Sequence, residues 1–272
     1  MIIRSSSLLS VLLLGLFIGV AGCQITQQTL GSDPGVPAFV KRIEHTQGIN
    51  AWRRKMAVAF DLEVGFGGRT MLSTTVVYDM HGNRCRMELA GGEVLVYDGS
   101  SAWVSPSTAS VPMTRFHLTT WTYFLSIPFK LRDPGSSLTP DETLRLDGES
   151  VETALLTFDA GVGDTPEDWY LLYPDPSGAL GAMAYIVTYG KSATQAEKEP
   201  HAIRYRDYET IDGVTLSTHW TMHHWSRELG LHGAPIGEVT LSNLRFVPLD
   251  GSFFDRPADS KEDLLPTATA GS

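Results

Sequence analysis

Apolar and polar residues alternate along much of the chain after residue 55. Between residues 56 and 64 every second residue is a large apolar one, and Asp61 and Glu63 stand between them. Between residues 84 and 89, Cys85 and its apolar neighbours alternate with charged residues. A period of two residues is typical of a strand that buries one face. The pattern therefore predicts half-buried β-strands.

Turn-forming residues separate these alternating segments at short intervals. They include the segment Gly65–Gly68 and the sequences His81-Gly82-Asn83, Asp98-Gly99, Asp147-Gly148 and Asp212-Gly213. Gly and Asn or Asp favour the tight turns that join antiparallel strands. The chain is therefore predicted to be mainly β, with a single antiparallel sheet of about 11–12 strands.

One strand near the C-terminus changes its parity. In the segment 238–247, the apolar positions shift from Val239 and Leu241 to Leu244 and Phe246. A one-residue shift would turn half of these side chains to the other face of the sheet. A β-bulge at Ser242-Asn243 is predicted to restore one continuous inner face.

Two segments have helical periodicity. Between Pro112 and Pro128, the residues Leu118, Trp121 and Leu125 recur at spacings of three and four, which predicts a short amphipathic helix with an apolar face. A second helix is predicted over residues 37–52. Proline at either end of the first segment sets its expected limits.

The N-terminus has the features of an exported lipoprotein. Arg4 precedes an uncharged apolar stretch over residues 8–20, which suits a signal peptide but is short for a membrane span. The sequence Val20-Ala21-Gly22-Cys23 resembles a lipobox. Cleavage before Cys23 and acylation of its thiol are expected; the alternative is an ordinary signal peptide with an incidental cysteine.

The expected organisation has four parts. Residues 1–22 form the signal peptide and 23–37 a flexible tether rich in Gln, Thr, Gly, Ser and Pro. Residues 38–256 form one domain, and the polar segment 257–272 is a disordered tail.

Charge and cysteine content narrow the partners. The formal charge of −10 becomes −11 once the single positive charge of Arg4 is removed, which disfavours nucleic acid and anionic lipid surfaces as partners. Attachment to a membrane is therefore expected through the acyl chains on Cys23. Gln24 favours the periplasmic face of the outer membrane. Cys85 then has no disulfide partner and is expected in the core.

Three sequence runs carry a resemblance to known proteins: residues 124–134, 161–173 and 237–250. They resemble an uncharacterised family of bacterial secreted lipoproteins and, with the predicted elements, the LolA/LolB-like lipoprotein-carrier fold. The resemblance implies an incomplete β-barrel, a strongly curved sheet with one or two lid helices over an apolar cavity. It also implies a role in binding acyl chains, carrying lipoproteins or sensing envelope stress.

Several histidines near residue 220 suggest a metal site, but their spacing along the strand is too wide for them to bind one ion. His219 and His223 share one face of a strand and stand roughly 13 Å apart, whereas zinc ligands lie about 2 Å from the ion. His224 points to the other face. A solvated or hydrogen-bonded row of histidines is the favoured interpretation, and no metal is expected.

Two groups of charged residues offer other chemistry. Asp164, Glu167 and Asp168 could hold calcium or act as an acid–base pair, although a loop that leads into a strand explains them as well. Lys130, Arg132 and Asp133 form a further charged group, which is expected to make ion pairs where the helix rejoins the sheet. The sequence contains no nucleophile-elbow, phosphate-loop or zinc-protease motif, so we expect no catalytic residue and no cofactor.

The aromatic content is the remaining functional signal. Ten residues are predicted to line a cavity or its lid: Leu118, Trp121, Phe124, Leu125, Phe129, Phe60, Met87, Trp103, Trp169 and Trp220. In a closed globule the same residues would form a core; in a half-barrel they would hold an acyl chain or other lipid. The predicted function is a non-enzymatic carrier or sensor of a hydrophobic ligand. The alternative is an adaptor that docks a protein of an envelope complex; an enzyme is less favoured.

Overall fold

The computed structural model describes residues 36–266, which contain four helices and fifteen strands. The helices are α1 (Ala38–Thr46), α2 (Ile49–Trp52), α3 (Thr114–Lys130) and α4 (Ala193–Ala196). The strands are β1 (Ala57–Phe66), β2 (Arg69–Asp79), β3 (Arg84–Leu89), β4 (Val94–Tyr97), β5 (Ala102–Ser105), β6 (Ser136–Pro140), β7 (Leu144–Leu146), β8 (Glu149–Val151), β9 (Ala154–Phe158), β10 (Tyr170–Pro174), β11 (Leu180–Tyr185), β12 (His201–Ile211), β13 (Val214–Ser226), β14 (Gly230–Val247) and β15 (Lys261–Asp263). Cys23 and the tether over 24–35 lie outside the described residues.

Thirteen strands form one antiparallel sheet that is not closed into a barrel. Their order is β15-β5-β4-β3-β2-β1-β14-β13-β12-β11-β10-β9-β6, so β15 and β6 stand at the two ends. The prediction of a mainly β chain with a large, open antiparallel sheet is confirmed. The strand number exceeds the predicted 11–12 because several strands of three to five residues are too short to show alternation.

The predicted bulge is present where β14 pairs with β1. Ala59 is opposite Arg245, but Asp61 is opposite Ser242, so the register shifts between these pairs. Asn243 adopts a positive φ of 54°. Leu241 and Leu244 are consequently both buried, as one inner face requires.

The helix predicted over residues 37–52 is divided in two. Gly48, with a φ of 82°, separates α1 from α2, and a Cβ at this position would lie 2.0 Å from the carbonyl oxygen of Gly213. Only glycine allows this conformation and this close approach to the β12–β13 turn. Residues 37–52 therefore form a bent pair of helices.

Helix α3 lies across the inner face of the sheet and continues past its predicted end at Pro128. Proline lacks an N–H, so the carbonyl of Phe124 has no helical donor. The hydroxyl of Tyr205, on β12, donates to that oxygen at 3.0 Å. The sheet thus replaces the missing hydrogen bond, and the helix reaches Lys130.

A second apolar layer covers part of the outer face. The β7–β8 hairpin packs its Leu144 and Leu146 against outward residues of β10–β13, among them Tyr173 and Trp225. This layer turns one half of the sheet into a two-sided core.

The prediction of a disordered tail over residues 257–272 is wrong for part of that segment. Residues 261–263 form β15, which pairs with β5 at the end of the sheet. Upstream of it, the guanidinium of Arg256 lies over the Trp103 ring at 4.2 Å. The polar composition of this segment does not predict a strand, because the strand forms by pairing with the exposed edge of β5.

Candidate functional site: a cavity at the seam of the open sheet

A cavity of about 430 Å³ lies beside α3, where the two ends of the sheet approach each other. We call it the seam cavity. One wall contains Tyr97 of β4, and the opposite wall contains Phe158 of β9 and Tyr170 of β10. Helix α3 forms its inner side. The volume falls within the roughly 300–1,000 Å³ of typical ligand pockets.

The two faces of α3 have different surroundings. Leu118, Trp121, Leu125 and Phe129 are between 0% and 6% exposed and belong to the core. The other face lines the seam cavity with Phe116, Thr119, Thr120 and Tyr123. Of the predicted helix residues, Phe124 reaches the cavity. The apolar face that was expected to cover a ligand instead anchors the helix to the sheet.

The other predicted lining residues lie elsewhere. Phe60, Met87 and Trp220 are fully buried on the inner face and form core, away from the seam cavity. Trp103 and Trp169, which were predicted to line the cavity, do not line it, because both face outward. Their neighbours on the strand turn inward, and alternation places adjacent side chains on opposite faces. Trp169 packs against Trp225 at a ring distance of 5.7 Å.

An ion pair fixes the loop over the seam cavity. The Arg115 guanidinium, at the start of α3, donates to both carboxylate oxygens of Asp164 at 2.6 and 2.7 Å. Both side chains are largely buried, and Arg115 also donates to the carbonyl of Ser100. Bidentate pairs of this kind hold geometry well. Asp164 and its neighbours in the β9–β10 loop therefore form part of the cavity wall.

Asp168 ties three segments together. Its carboxylate accepts hydrogen bonds from Thr188 N–H and hydroxyl, both at 2.7 Å, from the Thr165 hydroxyl at 2.8 Å and from the Tyr170 hydroxyl at 3.4 Å. Burial raises the pKa of Asp168, although these donors favour its ionised form. The predicted acidic group thus divides: Asp164 and Asp168 are held by internal partners, while Glu167 is exposed.

The charged residues at the C-terminal end of α3 also pair with one another or with neighbouring elements. Lys130 donates to Asp133 at 3.1 Å, as expected, and both line the seam cavity. Arg132 donates to Glu44 of α1 at 2.8 and 2.5 Å. These contacts join the end of α3 to the sheet edge and to the first helix.

Tyr123 has a buried hydroxyl without a hydrogen-bond partner. It is the one such atom among the buried side-chain nitrogen and oxygen atoms of the described residues. Burial raises the pKa of Tyr123, so the hydroxyl keeps its proton. A buried hydroxyl without a partner costs about 1–3 kcal/mol. The ring lines the seam cavity and contacts Tyr170 at 5.3 Å and Phe158 at 6.2 Å.

The histidines do not converge. His219 Nε2 lies 2.6 Å from Glu238 Oε1, and His223 Nε2 lies 3.0 Å from the Thr221 hydroxyl. His201, His224 and His232 stack side by side across three strands, with ring distances of 5.8 and 6.2 Å. Within residues 36–266, no three metal-ligating side chains come together.

The residues that line the seam cavity differ from most of the predicted ones. The lining uses tyrosines and threonines that look amphipathic or polar, whereas tryptophan and leucine predominate among the predicted residues. The available signal was the spacing of Phe116, Thr119, Thr120 and Tyr123, which share the helix face opposite Leu118 and Leu125. A helix with a second semi-apolar face has a second neighbour.

Two solved structures share this fold over most of the chain. A LolA superfamily protein from Nitrosomonas europaea has a TM-score of 0.50 at 12% identity, covering 82% of this chain and 98% of that one. A DUF1329 family protein from Desulfovibrio piger has a TM-score of 0.50 at 13% identity, covering 81% and 97%. No family model and no curated protein matches the chain. The LolA-like fold is therefore confirmed, and at these identities the likeness concerns the fold alone.

Proposed function

We propose that this protein binds a hydrophobic ligand in the seam cavity and acts as a non-enzymatic carrier or sensor in the bacterial cell envelope. The observation that supports this is the cavity itself, with its aromatic walls contributed by α3 and both ends of an open, LolA-like sheet. An acyl chain of a lipid or of a lipoprotein is the ligand class that fits such walls.

The energetics are adequate for useful affinity. Each buried methylene contributes about 0.8 kcal/mol, and every 1.4 kcal/mol is a tenfold change in the dissociation constant. Part of this gain is offset by the lost freedom of the ligand. Micromolar binding corresponds to about 8 kcal/mol, so about ten buried methylenes are needed before that offset, which a long acyl chain supplies and a short one does not.

We also propose that acyl chains on Cys23 hold the domain on a membrane. The lipobox-like sequence before Cys23 supports this, and Gln24 supports the periplasmic face of the outer membrane. None of the helices within residues 36–266 has the length and apolar character needed to cross a membrane.

Copurification gives the first test. The protein, expressed with its own N-terminus in a bacterium and analysed by native mass spectrometry, should carry acyl-containing species of discrete mass. Organic extraction should release them. Preparations that carry no such species and show no saturable probe binding would favour the envelope-adaptor alternative.

A cavity-filling variant gives the second test. Thr120→Trp places an indole into the open space beside α3, so the variant should lose binding of the neutral fluorescent probe N-phenyl-1-naphthylamine. Its melting temperature should change little, because the substitution fills space and does not displace core residues. Ser73→Trp adds the same indole at an exposed position of β2 and should bind like the parent protein. Undiminished binding by Thr120→Trp would place the ligand outside the seam cavity.

A further inference from the structure

We propose that the ligand of the seam cavity carries an uncharged polar group, an ester, amide or hydroxyl, and that Tyr123 selects it. This inference rests on the proposed function and adds the chemical class of the ligand. The charged side chains along the cavity already have partners, whereas the buried hydroxyl of Tyr123 has none.

The charged groups along the seam cavity are already paired. Lys130 donates to Asp133 at 3.1 Å at one end. At the other end, Arg115 holds both oxygens of Asp164. At Arg115 a ligand carboxylate would have to displace Asp164, which leaves a largely buried carboxylate without compensation. At Lys130 it would compete with Asp133 for a cation that is already neutralised. A ligand ammonium would face the same difficulty with reversed sign.

Asp168 offers no vacant acceptor for a cationic ligand either. Four donors from Thr165, Tyr170 and Thr188 surround its carboxylate, and the residue is 6% exposed. A ligand cation would compete with donors that are fixed in the fold. The cavity therefore favours neither charge.

Among the buried polar atoms of the cavity wall, the Tyr123 hydroxyl is the one that remains without a partner. It is neutral, protonated and without a partner, and its ring forms part of the cavity wall. A ligand that brings an acceptor oxygen to this hydroxyl removes the penalty of an unmade hydrogen bond. An ester carbonyl or a hydroxyl does this without disturbing the ion pairs at either end, whereas a pure hydrocarbon leaves the penalty in place.

Matched twelve-carbon probes test the inference. Methyl dodecanoate, dodecanoate, dodecyltrimethylammonium and dodecane, each below its aggregation concentration, compete with N-phenyl-1-naphthylamine for the intact protein. The methyl ester should bind at least about tenfold more tightly than either ion. It should also bind about fivefold to tenfold more tightly than dodecane, as one net hydrogen bond predicts.

Tyr123→Phe removes the hydroxyl and keeps the ring. The variant should lose the fivefold to tenfold preference for the ester over dodecane, retain dodecane binding, and unfold at the same or a higher denaturant concentration. Tyr208→Phe is the control for ligand selection: this tyrosine of β12 lies outside the seam cavity, and its hydroxyl donates to the carbonyl of Leu180 at 2.5 Å. That variant should behave like the parent protein.

The possible failures are distinguishable. If none of the four probes displaces the reporter, the proposed function itself fails. If dodecanoate or the ammonium probe binds as tightly as the ester, or if Tyr123→Phe keeps the ester preference, the cavity binds ligands but does not select for an uncharged polar group. Equal binding of dodecane and ester by the parent protein overturns the role of Tyr123 in the same way.

Discussion

Trp121 illustrates how a helical residue can be a plausible lid side chain in sequence and a core residue in the fold. It is 3% exposed, and its indole N–H donates to His117 Nδ1 at 3.1 Å. Its ring meets Phe116 and Phe124 edge-on at 6.3 and 6.1 Å. Burial lowers the pKa of His117, which keeps the accepting nitrogen unprotonated. These contacts hold the Trp121 side chain in the core between α3 and the sheet.

Truncation of this residue should therefore destabilise the protein strongly. Trp121→Ala is expected to lower the free energy of unfolding by about 3–5 kcal/mol, because a large cavity opens in a packed core. Urea denaturation of the purified domain measures this loss. Trp103→Ala is the control, since Trp103 lies half-buried on the outer face and should cost less. Equal losses in the two variants would contradict a core role for Trp121.

Which residues are buried was easier to predict than which of them surround the cavity. Leu118 and Leu125 are buried as their spacing predicted, and Cys85 is fully buried. Trp103 lies between Ala102 and Val104, so alternation does not mark its inner side. Trp169 directly precedes β10, in which both faces of the strand are buried, so the pattern there is equally uninformative. Hydrophobicity reports burial, and both faces of this sheet bury apolar side chains.

At the scale of elements, the start of α3 depends on a residue far away in sequence. Met113, at the cap position, has a φ of 57° and provides no side-chain cap. The first turn is instead capped by Asp263 of β15, whose carboxylate accepts from the Arg115 backbone N–H at 2.8 Å. A carboxylate at a helix N-terminus also interacts favourably with the helix dipole. The C-terminal strand thus holds the cavity-forming helix.

Removal of this cap should destabilise the helix. Asp263→Ala is expected to cost about 0.5–2 kcal/mol, the usual effect of losing an N-cap. Hydrogen exchange should increase first in the opening turn of α3, which localises the effect. Glu262→Ala, at an exposed position on the same strand, is the matched control. If the two variants exchange alike, Asp263 does not cap α3.

Elements whose signals are local were predictable, and those completed by distant partners were not. The bulge at Ser242-Asn243 shows as a change of parity within one strand. The continuation of α3 past Pro128 depends on the Tyr205 hydroxyl, 77 positions later in the chain. Strand β15 depends on the free edge of β5. Long-range partners of this kind leave no mark in local sequence.

At the scale of the whole molecule, the open sheet creates the site. Tyr97 and Phe158 lie near opposite ends of the strand order, and curvature brings both to the seam cavity. A closed barrel would have hydrogen-bonded these ends together. Here α3 and the β9–β10 loop border the opening, so the site is built largely from elements outside the central strands. This architecture supports the proposed role of the protein as a binder of a hydrophobic ligand.

The charge of the molecule determines how it can stay on a membrane. A formal charge of −10 disfavours contact with anionic lipid, and the basic run Arg53-Arg54-Lys55 is only three residues long. Peripheral binding by charge is therefore expected to be weak, and the proposed membrane attachment depends on the acyl chains of Cys23. The two cysteines differ in this respect, because Cys85 is fully buried and unavailable for acylation.

Cys23→Ala should consequently abolish stable attachment. The parent protein should sediment with membranes, resist a high-salt wash and be released by detergent, as expected for acyl anchoring. The Cys23→Ala variant should accumulate as an unlipidated precursor. The same variant behind a conventionally cleaved signal peptide should become soluble in the periplasm, whereas Cys85→Ala should remain attached. Fractionation with immunoblotting and mass measurement of the N-terminal peptide provides the measurement. Membrane retention of the signal-free Cys23→Ala variant after high salt would show that a surface of the domain, and not an acyl chain, holds it there.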